Sequence, residues 1–248
     1  MKARLISTGK LLSRFVGFCM VFSVLLVVVL KWLPVAWTPL MLFRETGNAI
    51  PADTPVRHEW LSDDAIPASL ELAVVCTEDQ RFLTHHGFDW ESIRTAMDDA
   101  ESGGKSRGAS TISQQTAKNV FCWPTSSWMR KGCEAWFTVL IEVFWSKERI
   151  LQVYLNSIEF GPGVYGCEAA SQFYFRKPAI EISKAQAARL AVVLPNPLLY
   201  KVNATSGYVV RRQVVALQQM ANYGFDLETT RVNGDDDDKK STKRKPKK

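Results

Sequence analysis

Residues 128–145 read Trp128-Met-Arg130-Lys131-Gly-Cys133-Glu134-Ala-Trp136-Phe137-Thr-Val-Leu140-Ile-Glu-Val-Phe144-Trp145. Met129, Cys133, Trp136, Phe137, Leu140 and Phe144 recur at i, i+4, i+7 and i+8 spacing, which a 3.6-residue turn gathers into one apolar stripe. Arg130, Lys131 and Glu134 fall together on the other side of the first turns. The same period runs outward in both directions. Downstream, Ile150, Leu151, Tyr154, Leu155 and Ile158 make a second amphipathic helix, and further helices are predicted over Glu168 to Phe175, Ser183 to Val193 and Gly207 to Tyr223. Upstream, Thr111-Ile-Ser-Gln114 fits a capping box, Asp89 can cap a helix toward Glu101 that Gly103-Gly104 breaks, and Ser69 to Asp79 reads as a mostly buried helix. Strand-like alternation is nearly absent and no repeat is visible. The predicted fold is therefore an all-α, mainly helical domain over about residues 66–226, followed by a charged, lysine-rich tail (227–248) read as disordered.

Before the domain, sixteen residues from Phe15 to Leu30 carry no charge, and apolar residues continue past Lys31 to Trp37. About 20 such residues cross a bilayer core. A cleaved signal peptide is the alternative, but Trp32 and Trp37 suit an interface and no small-x-small cleavage site follows. The run 15–37 is read as an uncleaved transmembrane anchor. The basic residues Lys2, Arg4, Lys10 and Arg14 precede it, so residues 1–14 stay in the cytoplasm and the chain after about residue 38 lies outside, at the periplasmic face in a bacterium. Residues 38–65, with Pro39, Pro51 and Pro55, read as a connector.

Of the 248 residues, 31 are basic and 25 acidic, a net charge of +6. Residues 1–14 carry +4 and residues 235–248 carry +3, which leaves −1 for the body and argues against a nucleic-acid groove there. Cys19 lies in the apolar run, and Cys76, Cys122, Cys133 and Cys167 sit in helical patterns. Buried free thiols are expected, with a Cys122 to Cys133 bridge left open, and no Cys/His spacing resembles a zinc site.

Three constellations could carry chemistry. Glu78 and Asp79 end an apolar helix before the turn at His85 to Gly87, where desolvation can raise one carboxylate toward general-base use; solvated charges at a helix end are the plain alternative. Ser110, Thr111, Gln115 and Lys118 follow Arg107-Gly108, and Thr111, Gln115 and Lys118 line one side of a polar helix, a face that is either solvated or suited to sugar hydroxyls and phosphates. Arg130, Lys131 and Glu134 are either a surface ion pair worth about 0.3–0.5 kcal/mol or a charged group that faces a pyrophosphate. Phe121, Trp123, Pro124, Trp128 and Met129 form an aromatic segment read against lipid or core.

In order, Glu78-Asp79-x-x-Phe82-x-x-His85-x-Gly87-x-Asp89, Gly108-Ala-Ser110-Thr111-Ile-x-Gln114-Gln115-x-x-Lys118-Asn119, Arg130-Lys131-x-x-Glu134 and Lys147-x-x-Ile150-Leu151-x-x-Tyr154-Leu155-Asn156 resemble the motifs of the family 51 glycosyltransferases, the peptidoglycan polymerases. Glu159-x-Gly161-x-Gly163-Val164-Tyr165-Gly166 and Leu194-Pro195-Asn196-Pro197 extend the likeness over about residues 66–226. With little chain beyond it for a penicillin-binding transpeptidase domain, the sequence is most similar to the monofunctional branch. Cys122, Cys133, Cys167 and the basic tail depart from the pattern without altering a matched functional position.

The resemblance implies a lysozyme-like lobe and a smaller membrane-facing lobe around a cleft. It implies lipid II as substrate, a growing lipid-linked glycan as donor, inversion, and undecaprenyl pyrophosphate as leaving group. Glu78 would be the general base, and Arg130 and Lys131 would stabilise the leaving group with Glu134 in support. Asp79, Ser110, Thr111, Gln115 and Lys118 would bind substrate. No cofactor is obligatory, with room for a divalent cation, Mg or Mn, at the pyrophosphate. The implied partners are the membrane and other cell-wall synthesis or division proteins, and no nucleic acid. A lytic transglycosylase or lysozyme-type hydrolase would share the fold and a catalytic Glu but has no pyrophosphate to neutralise. A non-enzymatic wall-binding scaffold would need neither Glu78 nor Glu134.

Overall fold

The computed structural model describes residues 2–46, 54–102 and 110–223, the side chains of 2–9 and Leu12 excepted. The lysine-rich tail, Gly103-Gly104 and Arg107-Gly108-Ala109 fall outside these residues. Helices dominate, as expected. α1 (Lys2–Leu30) is followed by α2 (Pro39–Glu45), α3 (Ala68–Glu78), α4 (Trp90–Glu101), α5 (Ile112–Phe121), α6 (Trp128–Phe144), α7 (Lys147–Ser157), α8 (Cys167–Phe175), α9 (Lys184–Ala191) and α10 over 208–223.

The helix boundaries follow local chemistry. Asp89 accepts from Ser92 N at α4, Ser127 from Arg130 N at α6, and Ser146 from Arg149 N at α7. Thr111 with Gln114, and Ser183 with Gln186, form complete capping boxes at α5 and α9. α3 buries Leu70, Ala73, Val74, Val75 and Cys76, nearly its whole circumference, and packs on α9. Residues 150–157 of α7 are all buried, so that helix is central and not amphipathic. α5 packs between α6 and α7.

Three features differ from the sequence reading. Arg57–His58 (β1), Glu159–Gly161 (β2) and Val164–Tyr165 (β3) form a small sheet in the order β1-β3-β2, β1 parallel and β2 antiparallel to β3. Strands of two or three residues are too short to show alternation. β1 and α2 both lie in the stretch read as a connector: β1 joins the sheet, and Arg44 of α2 pairs with Glu159 at 3.2 Å. Second, α1 stops at Leu30, so the run to Trp37 is helix and then a non-helical turn into the Thr38 cap of α2. Third, the apolar stripe of α6 is divided, Leu140 facing the core and other members the surface. Met129 and Trp136 are exposed, whereas Glu134, Thr138, Leu140 and Ile141 are buried. Hydrophobicity marks the protein interior only when the surroundings are water, and α6 lies beside an apolar helix, α1.

All five cysteines are free thiols. Burial, with Cys133 alongside, pushes the Cys122 thiol up to about 12.

Candidate active site

α3 ends at Glu78 because Asp79 leaves the helical region at φ −160° and ψ 80°. The Asp79 carboxylate then turns inward. It accepts from the Ile112 N–H at the head of α5 (3.0 Å) and from His85 Nε2 (2.9 Å). Gly87 N–H donates to His85 Nδ1 at 3.1 Å, which leaves the ring proton on Nε2 for Asp79. Gly87 itself has φ +88°, and a Cβ there would stand 2.8 Å from Thr138 Cγ2, so the turn needs glycine on both counts. Thr111 Oγ1 donates to Gly87 O at 2.7 Å and accepts from Gln114 N–H. These bonds hold the end of α3 against the start of α5.

That junction opens onto a cleft of about 1390 Å³ whose wall includes Glu78, Gln115, Lys118, Arg130, Trp123 and Arg212. Gln115 Nε2 donates to Glu78 Oε2 at 3.0 Å. Burial raises the Glu78 pKa above the ordinary carboxylate value, opposed by the Gln115 bond and by the charges of Arg212 and Lys118, and reinforced by Asp79. Lys118 keeps solvent contact through the open cleft, yet desolvation of its ammonium lowers its pKa, with Glu134 opposing and Arg130 and Lys131 adding to the effect.

Glu134 sits behind the cleft wall, 2 % exposed, accepting from Arg130 Nη1 at 3.0 Å and from the Lys131 ammonium. The cluster is therefore a buried carboxylate held by two cations, not a surface pair. Arg130 reaches the cleft, and its buried Nε has no acceptor among the described residues. Lys131 lies outside the cleft wall with its side chain 50 % exposed. Both Glu134 oxygens are engaged by cations, and no group of three or more His, Cys, Asp or Glu among the described residues could hold a metal. The residues present do not fit a protein-held Mg or Mn site.

The structure thus brings Glu78, Gln115, Lys118, Ser110 and Arg130 to one cleft, with Asp79 and Thr111 also in its wall but committed to internal bonds. Two residues of this region were missed. Arg212, on α10, is signalled only by a basic pair, Arg211-Arg212, in an apolar helix. Tyr154 was read in an apolar pattern and in the Lys147 to Asn156 motif with no role of its own, but its hydroxyl donates to Gln115 Oε1 at 3.1 Å.

Known proteins resemble this chain over most of its length. The Transglycosylase family model matches residues 46–221. The chain is similar to the biosynthetic peptidoglycan transglycosylase of Pasteurella multocida, 46 % identical over 217 residues, covering 87 % of this chain and 88 % of that protein. Similarity to the protein of the same name from Pseudomonas aeruginosa is 46 % over 223 residues, 89 % of this chain and 95 % of the relative. For that of Bacteroides thetaiotaomicron it is 45 % over 229 residues, 91 % and 90 %.

Proposed function

The chain belongs to the Transglycosylase family and is a peptidoglycan glycosyltransferase, and from that premise we propose that it polymerises lipid II, with a growing glycan on undecaprenyl pyrophosphate as donor. The observation that carries this reading is a half-buried carboxylate, Glu78, whose pKa burial raises, sharing one cleft with Lys118, Arg130 and Arg212. In the reaction the 4-hydroxyl of the incoming lipid II attacks the donor's anomeric carbon with inversion. The new C–O bond forms as the bond from that carbon to the pyrophosphate oxygen breaks. Glu78 takes the hydroxyl proton, since a sugar alcohol is a poor nucleophile until that proton begins to leave. The departing pyrophosphate needs positive charge more than a proton, and Arg130 with its unpaired Nε and Lys118 supply it in the cleft, with Lys131 adding its charge from beyond the cleft wall. An arriving anion also offsets the desolvation, and the lesser repulsion from Arg130 and Lys131, that depress Lys118. Glu134 orients Arg130 and Lys131. No step runs through a metal.

Ser110 at the cleft and the Gln115 amide are the sugar-contacting groups of this reading; Asp79 and Thr111 act by holding α5 in place. A hydrolase acting on a neutral glycosidic link would have no use for three cations facing one carboxylate. The N-terminal apolar helix, with basic residues before it, supports a topology with residues 1–14 in the cytoplasm and the cleft at the outer face of the inner membrane, where a lipid-linked substrate is exposed.

The test is polymerisation of labelled lipid II in detergent by wild type and Glu78→Gln. The variant is expected to fold and to lose roughly 10²–10⁴ in rate. Substantial glycan formation by a folded Glu78→Gln protein would remove the base assignment, and release of short glycans from preformed strands would point to the hydrolase.

A further inference from the structure

Tyr154 is a polar group in a place where none is needed for packing. It is 0 % exposed, between Val153 and Leu155 on a helix buried from residue 150 to 157, where the ring of phenylalanine would fill the same space. Its hydroxyl donates to Gln115 Oε1 at 3.1 Å. The other end of that amide, Nε2, donates to Glu78 Oε2 at 3.0 Å and faces Ser110 O at 3.5 Å.

A glutamine amide has two ends of nearly equal shape and opposite hydrogen-bonding character. Turned half a revolution, Gln115 would set its oxygen against the Glu78 carboxylate, two acceptors facing each other. The Tyr154 hydroxyl selects against that arrangement, because its proton needs an acceptor and the amide oxygen supplies one. Burial and the nearby Glu78 and Asp79 charges raise the Tyr154 pKa well above its ordinary value, so the hydroxyl stays a donor over the working pH range.

We propose that Tyr154 is a positioning residue for the general base: it locks the Gln115 amide with nitrogen toward Glu78, which favours the ionised carboxylate and holds it at the cleft. The proposal rests on Glu78 being the base. It gives the buried part of α7 an indirect role, through Gln115, although it touches no substrate.

The consequence is a pH dependence with a definite sign. Among the described residues, Glu78 feels Asp79 beside it, Lys118 and Gln115 from α5, Arg212 from α10, and Tyr154 from α7. Of these, the Gln115 bond lowers its pKa. Losing the lock weakens that bond, so the Glu78 pKa rises further and the base is disabled at higher pH than in wild type.

The experiment is kcat and KM for lipid II polymerisation across a pH series, with thermal melts, for wild type, Tyr154→Phe, Gln115→Met, the double variant and Glu78→Gln. Tyr154→Phe is expected to move the acid limb of kcat/KM up by about one pH unit, roughly tenfold in rate below the limb, while keeping the high-pH plateau. Gln115→Met should move the limb the same way. The double variant should be no worse than Gln115→Met alone, because both act through one bond. A lowered plateau with an unmoved limb, additive losses in the double variant, or a Tyr154→Phe chain that does not fold would each assign the hydroxyl to structure and overturn the proposal. If Glu78→Gln is inactive and the limb stays put, only this inference falls; if Glu78→Gln polymerises, the base assignment falls first.

Discussion

Glu134 and Glu78 are both carboxylates withdrawn from water, and the structure treats them oppositely. Glu134 is compensated by Arg130 and Lys131, and removing one partner of such a group costs about 3–5 kcal/mol when both are buried. Lys131 is the half-exposed partner, so Lys131→Ala is expected to cost under about 1 kcal/mol while lowering polymerisation by roughly 10². Melts and steady-state rates measured together decide it: a stable variant polymerising at nearly the wild-type rate would confine Lys131 to holding Glu134. Glu78 has no such compensation beyond one amide and more distant cations. Its folded pKa lies above the unfolded one, so the native state binds the proton more tightly. Stability is therefore lost as pH rises from the ordinary carboxylate range through the raised value. Glu78→Gln removes that loss and is expected to melt higher than wild type at neutral pH, inactive but more stable; a lower melting temperature would contradict the raised pKa. The Arg130-Lys131-x-x-Glu134 spacing was legible as a charge cluster, but burial of Glu134 was not, because i, i+4 spacing says which groups meet and not which side of the helix is covered.

The junction of α3 with α5 is where the cleft gains its geometry. One carboxylate, Asp79, satisfies both the first N–H of α5 and His85, and it stands where the helix dipole favours negative charge. Asp79→Ala leaves Ile112 N–H and His85 Nε2 without that acceptor, and a fall of about 2 kcal/mol or more is expected. Because Gln115 and Lys118 ride on α5, polymerisation should fall with it, and amide hydrogen exchange should quicken in the first turn of α5 before the rest of the domain. Unchanged protection there would show that the capping box at Thr111 and Gln114 suffices alone. That box, and the Asp89 and Ser183 caps, are why helix starts could be read from sequence: each is a local pattern of three or four residues. The sheet could not be read, since Arg57 pairs with Val164 across more than a hundred residues of chain and neither strand is long enough to betray itself. What covers the apolar stripe of α6 could not be read, because periodicity finds an apolar side without saying whether protein or lipid lies against it.

Taken whole, the molecule joins a near-neutral body to an apolar helix long enough to cross a membrane, whose last turns pack against the domain. The window Ser13–Leu30 has mean hydropathy 2.4, and Phe15, Phe18 and Leu25 face outward from it. Its last turns are different: Ser23 and Val27 are buried, Trp136 Nε1 donates to Ser23 Oγ at 3.0 Å, and Trp145 Nε1 donates to Val27 O at 2.8 Å. Arg149 lies over the rings of Trp60 and Trp145 and donates to Leu30 O and Leu33 O, closing the helix end with a cation where the carbonyls are negative. Beside it, α6 exposes Val139 and Val143, and Trp128 is 93 % exposed. With apolar side chains exposed on both α1 and the neighbouring α6, the body is expected to sit against the bilayer and not to hang from it. A simple tether would contribute only effective concentration, and its removal would spare the enzyme in detergent. An integral helix would contribute more. Deleting residues 1–37 uncovers three hydrogen-bond donors and the apolar contact at Val27, so a loss of about 2 kcal/mol, several degrees in melting temperature, is expected even in detergent. On liposomes carrying lipid II the loss of rate should exceed the loss in detergent, because the truncated body carries a charge of −2 before the tail and has little long-range attraction to an anionic surface. Melts of both forms in one detergent, with rates in detergent and in liposomes, separate the outcomes. Equal melting temperatures with slower liposome turnover would reduce α1 to a tether, and equal behaviour in both assays would leave docking to the exposed face of α6 alone.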